Sequence, residues 1–78
     1  MARRLHYKAH VIQSKPEPVA ASGRWKFRIA IYWKVRGILK MQQFLGLTLH
    51  NNEDEADLQG IAHGQRIIDE KPRRLKAG

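Results

Sequence analysis

Hydrophobic and polar residues alternate along much of the chain before residue 50. The pattern is clearest from Arg24 to Lys34. Trp25, Phe27, Ile29, Ile31 and Trp33 fall on one side, and Arg24, Lys26, Arg28, Ala30, Tyr32 and Lys34 on the other. Successive side chains of a strand point to opposite faces, and β-branched and aromatic residues suit the pleated surface, so this segment predicts a strand with one buried face. Leu5 to Gln13 alternates too: Leu5, Tyr7, Ala9 and Val11 oppose His6, Lys8, His10 and Ile12, which reads as one half-buried strand. Ser14 to Gly23 holds Pro16, Pro18, Ser22 and Gly23 and reads as a loop. Val35-Arg36-Gly37 supplies a turn. A third strand follows over Ile38 to Thr48, where Leu39, Met41, Gln43 and Leu45 compete with Lys40, Gln42, Phe44 and Gly46 for the buried face. A bulge near Gly46 reconciles the two sets.

The pattern changes at Asn52. Asn52 as N-cap with Glu55 three residues on resembles a capping box, and Glu53, Asp54, Glu55 and Asp57 crowd a first turn where the helix dipole favours anions. Pro72 stops the segment, so a helix is expected over 52–71. At 100° per residue Ala56, Gly60, Ile61, Gly64, Ile67 and Ile68 share an arc of about 140° that should pack on the sheet. Each glycine costs a helix interior about 1 kcal/mol against alanine. Gly60 and Gly64 therefore imply close approach to bulky sheet residues such as Trp25 or Trp33. Leu58 and Ala62 lie off this arc and form a small apolar strip of their own.

The expected architecture is α+β (βββα): a three-stranded antiparallel sheet with one C-terminal helix packed on one face, a single domain over 1–71 and a basic flexible tail over 72–78. Phe27, Ile29, Ile31, Ile61, Ile67 and Ile68, with at least one of Trp25 and Trp33, should form the core.

Composition narrows what such a domain can do. The chain has 78 residues, 42% of them hydrophobic. That supports one small core, burying about 60–65% of the surface its unfolded form exposes. No cysteine occurs, so a disulfide, a zinc–thiolate site and a cysteine nucleophile are excluded. No stretch approaches the roughly 18 apolar residues of a membrane span. Residues 5–13 alternate where a signal peptide would be apolar, so a cytoplasmic protein is the expectation. The net charge is +8 and is unevenly placed. Residues 1–50 carry ten Lys/Arg and one acid, Glu17; residues 51–70 carry six acids and one Arg; residues 71–78 carry four bases. Such asymmetry suits an anionic partner.

No constellation points to catalysis. His6 and His10, read on one strand face, would stand about 13 Å apart, too far to share a metal ion. No Gly-x-Ser-x-Gly elbow, P-loop or dinucleotide fingerprint occurs. An enzyme is not expected, nor a metal or other cofactor. The outward face of the second strand is different. Arg24, Lys26, Arg28 and Lys34 form a basic ladder around Tyr32, which Lys8, with His6 and His10, would extend on the neighbouring strand. Cations at alternate positions can engage successive phosphates, and Tyr32 can stack on a base. The competing reading is the ordinary solvated side of a sheet covered on one face only.

Gly23-Arg24-Trp25, Phe44-Leu45-Gly46 and Glu55-Ala56, in the order strand, strand, strand, helix, resemble the AP2/ERF DNA-binding domain over residues 23–62. That resemblance implies a sheet whose basic and Trp residues contact a DNA groove. The AP2 pattern is richer in Arg on its first strand and has an Ala-rich helix where this chain has glycines. Tyr7, the Pro-containing loop, Gly23-x-Trp25, Phe44, Glu55-Ala56 and Ile67-Ile68-Asp69 resemble small proteobacterial domains, some labelled haemolysin-activator-like, which implies the same fold and no particular activity. The expectation is a weak nucleic-acid-binding domain, for DNA or RNA, acting through Arg24, Lys26, Arg28, Tyr32, Lys34 and Lys8. The alternative is a homodimeric interaction module that meets its copy through Leu58 and Ala62 or through an open sheet edge.

Overall fold

The structure, a computed structural model, describes residues 3–70. The expected tail over 72–78 and the last position of the expected helix lie outside them. The elements are β1 (Arg3–Tyr7), β2 (His10–Val19), β3 (Arg24–Val35), β4 (Ile38–Leu45) and α1 (Glu53–Glu70). The strands form one antiparallel sheet in the order β1-β2-β3-β4. The fold is therefore α+β with a C-terminal helix, as expected, but with four strands instead of three.

The extra strand comes from a hairpin hidden in an alternating stretch. Lys8 and Ala9 both adopt positive φ (46° and 64°) and reverse the chain in two residues. Neither is the Asn or Gly that normally advertises such a turn. The expected single strand over 5–13 is thus two strands, and the alternation changes phase across the turn. Leu5 and Tyr7 face the helix as expected, but Ile12, fully buried, joins them, while Val11 faces outward. His6 and His10 sit on different strands and opposite faces; the His10 ring lies 6.2 Å from that of Trp33.

The expected loop over Ser14–Gly23 is largely strand. Pro16 and Pro18 pair with Phe27 and Trp25 inside the β2–β3 ladder. Alternate residues of a strand direct their N–H to the same side, so prolines two apart remove donors from one side only. Among the described residues β1 pairs no further than Arg3 opposite Ser14, which leaves β2 an open edge beyond that point, where proline is tolerated. The true connection is short, with the amides of Ser22 and Gly23 donating to the Val19 carbonyl at 3.1 and 3.2 Å and Gly23 at φ +68°.

α1 crosses β2 and β3 and reaches β1, leaving β4 outside its footprint. Ile12, Phe27, Ile29, Ile31, Ile67 and Ile68 are the buried core, with Tyr7, Trp33, Phe44 and Ile61 packed around it. Ile61, expected among the buried residues, sits at the margin, and so does Trp33; neither tryptophan is fully buried, against the expectation for at least one of them. The two helix glycines do mark close approach, but onto β2 and not onto a tryptophan. A Cβ at Gly60 would collide with Ser14 Oγ, and one at Gly64 would lie 2.7 Å from Ile12 Cγ2. Ser14 is fully buried because its hydroxyl donates to the Asp57 carbonyl oxygen at 3.0 Å.

β4 stops at Leu45, short of the expected Thr48. Gly46 donates its amide to the Phe27 carbonyl at 2.9 Å, and His50 rejoins β3 by exchanging both backbone hydrogen bonds with Trp25. Gly46 lies over the Phe27 ring, where a Cβ would come within 2.6 Å. The irregularity read near Gly46 is thus an outward excursion over 47–49 that leaves Leu47 95% exposed.

Candidate nucleic-acid interface

The hairpin registers array the outer face of the sheet in rows across the strands. One row is His6, Val11, Tyr32 and Met41; the next is Arg4, Gln13, Ala30 and Gln43; the next is Lys15, Arg28 and Leu45. Beyond them Glu17 pairs with Lys26 and Val19 with Arg24, and at the opposite end Lys34 pairs with Leu39. Arg24, Lys26, Arg28, Tyr32 and Lys34 therefore do share one uncovered face. Arg4 and Lys15 add two cations outside the expected set: Arg4 precedes the strand expected from Leu5, and Lys15 falls in the loop expected from Ser14. Had Lys8-Ala9 been read as a hairpin turn, Gln13 and Lys15 would have fallen beside β3 at once.

Lys8 does not belong to this face. Its Nζ lies 2.6 Å from Asp69 Oδ1 at the far end of α1, and 5.3 Å from the centre of the Tyr7 ring. Tyr7 donates its hydroxyl to the same carboxylate, at 3.0 and 2.9 Å from its two oxygens. The Lys8 ammonium, followed by the Tyr7 hydroxyl, holds the Asp69 carboxyl below its ordinary value. The hydrogen bond to Asp69 in turn raises Lys8. The last turn of α1 carries no basic residue, so Lys8 supplies a cation where the dipole and Asp69 both ask for one.

The acids are arranged so that the outer face keeps its positive sign. Those of α1 lie on the opposite side of the sheet, where Arg3 pairs with Asp54 and, at 3.2 Å, with the buried Asp57. Glu17 is the single carboxylate among the described outward-facing sheet residues. It is engaged by Arg28, whose Nε lies 3.2 Å from Glu17 Oε2. That pair is partly exposed, so a phosphate can compete for the guanidinium at modest cost.

The face is not uniformly basic. Cations dominate the end of β2 and β3 that carries Lys15, Arg24, Lys26 and Arg28, while Val11, Tyr32, Leu39 and Met41 make the other end mainly apolar, with Lys34 beside Leu39 as its cation on β3. Between them lies a shallow depression of about 500 Å³ bounded by Gln13, Lys15, Glu17, Arg28, Tyr32 and Gln43, with Ala30 as its floor. Among the described residues no group of three or more His, Asp or Glu is placed to hold a metal ion. No helix among them is long and apolar enough to cross a membrane.

No family model matches the chain, and no curated protein or solved structure matches it either.

Proposed function

We propose that the protein binds nucleic acid through the outer face of its sheet, mainly by neutralising phosphates. The observation that carries this reading is the array of Arg24, Lys26, Arg28 and Lys34 on β3, joined by Lys15 and Arg4, on a face that α1 leaves open. Neutralising about four phosphates gives a slope near −3 to −4 in log K against log salt on duplex DNA. Fluorescence anisotropy with a labelled duplex over a salt series measures it. Replacing Lys26 and Arg28 by Gln should make the slope shallower by about 2 and weaken binding alike for all sequences. Absence of any complex at low salt would reduce the face to ordinary solvated surface.

A second reading, a homodimer, is favoured by a different feature. β4 is an unpaired edge with Leu39, Met41 and Leu45 exposed and Lys40 as its one charge, whereas the β1 edge is five residues long and carries Arg3 and Arg4. Short, charged edges discourage pairing, and β4 lacks that protection. A two-fold axis at Gln42 would set Leu39 opposite Leu45 of the second copy and bring no like charges together. Leu58 is exposed while Ala62 is half-buried, so the strip on α1 is the weaker candidate. Sedimentation at two concentrations tests this reading: a Met41→Lys variant should be monomeric where the parent is dimeric, and a parent that is monomeric throughout would eliminate it.

A further inference from the structure

Resting on the nucleic-acid reading, we infer that the depression over Ala30 is a subsite for one unpaired nucleotide, so that the ligand is single-stranded and its bases meet the sheet. Four observations carry this. The first is width. Four strands set 4.7–4.9 Å apart span about 14 Å between the outer strand axes. The major groove of B-DNA is about 12 Å wide and admits a helix or a two-stranded ribbon, so the four-stranded part of the face, which holds the depression, cannot enter it flat. Among the described residues only the two-stranded end of β2 and β3, beyond Ser14 and Arg28, is narrow enough for that groove, and it lies to one side of Ala30.

The second is the middle row. Gln13 and Gln43 flank Ala30 in register, one on each neighbouring strand, about 10 Å apart across it. Ala30 is the smallest outward-facing residue of β3, and its short side chain opens the floor between two amides. Each amide carries a donor and an acceptor and can rotate to serve different base edges. The Watson–Crick edge, which offers such an amide both a donor and an acceptor, is free only when the base is unpaired.

The third is what stands on either side. Tyr32 is next along the face and offers a ring on which a base can stack, with Val11 and Met41 beside it in register. Lys15 and Arg28, paired across the strands, form the opposite wall together with Glu17, which lies 3.2 Å from Arg28 Nε and would yield that guanidinium to the phosphate of the same nucleotide. The fourth is size: about 500 Å³ lies within the range of small-molecule sites, about 300–1,000 Å³. The depression thus has an apolar stacking wall, a polar rim and a cationic wall in the order that base and phosphate require.

The test is a titration of labelled oligothymidylate and oligouridylate, with a duplex of equal length, at one salt concentration, on the parent protein and on Ala30→Leu. Leu at position 30 fills the floor and changes no charge. The single strands should bind about tenfold tighter than the duplex, as expected from stacking on one aromatic ring. Ala30→Leu should abolish that advantage and leave duplex binding where it was. If Ala30→Leu melts below the parent, the pair Tyr32→Leu and Tyr32→Phe replaces it: the leucine should lose the single-strand preference and the phenylalanine keep most of it. Equal affinity for single strand and duplex, unaltered by these substitutions, would overturn the subsite and leave phosphate binding standing. No binding to any of the probes would overturn both.

Discussion

Gly60 illustrates how a single missing methyl group positions the helix. Alanine there would favour the isolated helix by about 1 kcal/mol, yet its Cβ would overlap the hydroxyl that Ser14 uses to hold the Asp57 carbonyl. Gly60→Ala should therefore destabilise the protein, by about 1–3 kcal/mol as for other overpacked sites, measured by urea denaturation. A stabilised variant would mean that the helix can lift from β2 at no cost. Phe27 has the opposite problem of size. It is 4% exposed, touches the rings of His50 and His63 and lies under Gly46, so Phe27→Ala should cost about 3–5 kcal/mol. A melting temperature unchanged by that truncation would show the core to lie elsewhere. Asp69 carries a pH signature. Its carboxyl is lowered by Lys8 and Tyr7, so its contribution to stability is present above the ordinary value of 3.8 and is lost as pH falls through the folded value. Lys8, raised above its ordinary 10.5, contributes below that value and loses its share as pH rises past its folded value. The gap in melting temperature between the parent and Asp69→Asn should thus be present at neutral pH and shrink below about pH 3.8. A gap that stays constant in acid would show that the carboxylate's charge has no part in it.

At the level of elements, the β1–β2 hairpin is the least conventional piece. Its two-residue turn places Ala9 at φ +64°, a conformation that costs a residue with a Cβ roughly 1–2 kcal/mol. Lys8 is tied to Asp69, so only Ala9 is free to be improved. Ala9→Gly should raise stability by about 0.5–1 kcal/mol once glycine's own entropy loss is counted. A less stable variant would argue that the turn has other dihedral angles. The β3–β4 turn already uses this solution, with Gly37 at φ +80° after Arg36 at +53°, and was readable for that reason. The first hairpin was not readable, because Lys-Ala carries no turn signal and a continuous alternation runs through it. The prolines of β2 misled in the other sense. They mark an edge, and which stretches are edges depends on where the neighbouring strand ends.

Across the whole molecule the charges separate into two faces. The acids of α1 and the cations that answer them, Arg3 and Lys8, lie on the covered side, and the outer sheet face retains its bases with Glu17 as the single described acid. If phosphate binding on this face is what the bases serve, Glu17 opposes it by holding Arg28. Glu17→Gln should then strengthen nucleic-acid binding severalfold at low salt, with little change in stability, since partly exposed ion pairs contribute about 0–1 kcal/mol. Weaker binding by that variant, measured by the same anisotropy assay, would imply that Glu17 orients Arg28 toward its ligand.

The β3 strand, the helix and its glycine-marked inner face were legible in residue order alone. Each depends on short-range periodicity, on capping chemistry or on turn residues that act within a few positions. The basic ladder on β3 was legible for the same reason, since one strand's outward residues follow from its own alternation. Tertiary structure decided the number of strands, the face on which Ile12 and Val11 fall, and the departure of Lys8 to the helix end. It also decided the row Gln13-Ala30-Gln43 on which the nucleotide subsite rests. Those features are products of register between strands, and a slip of one residue exchanges the two faces of a strand. Register was set here by turn geometry at Lys8-Ala9 and by the packing of Gly60 and Gly64 against Ser14 and Ile12, contacts that join residues more than forty positions apart.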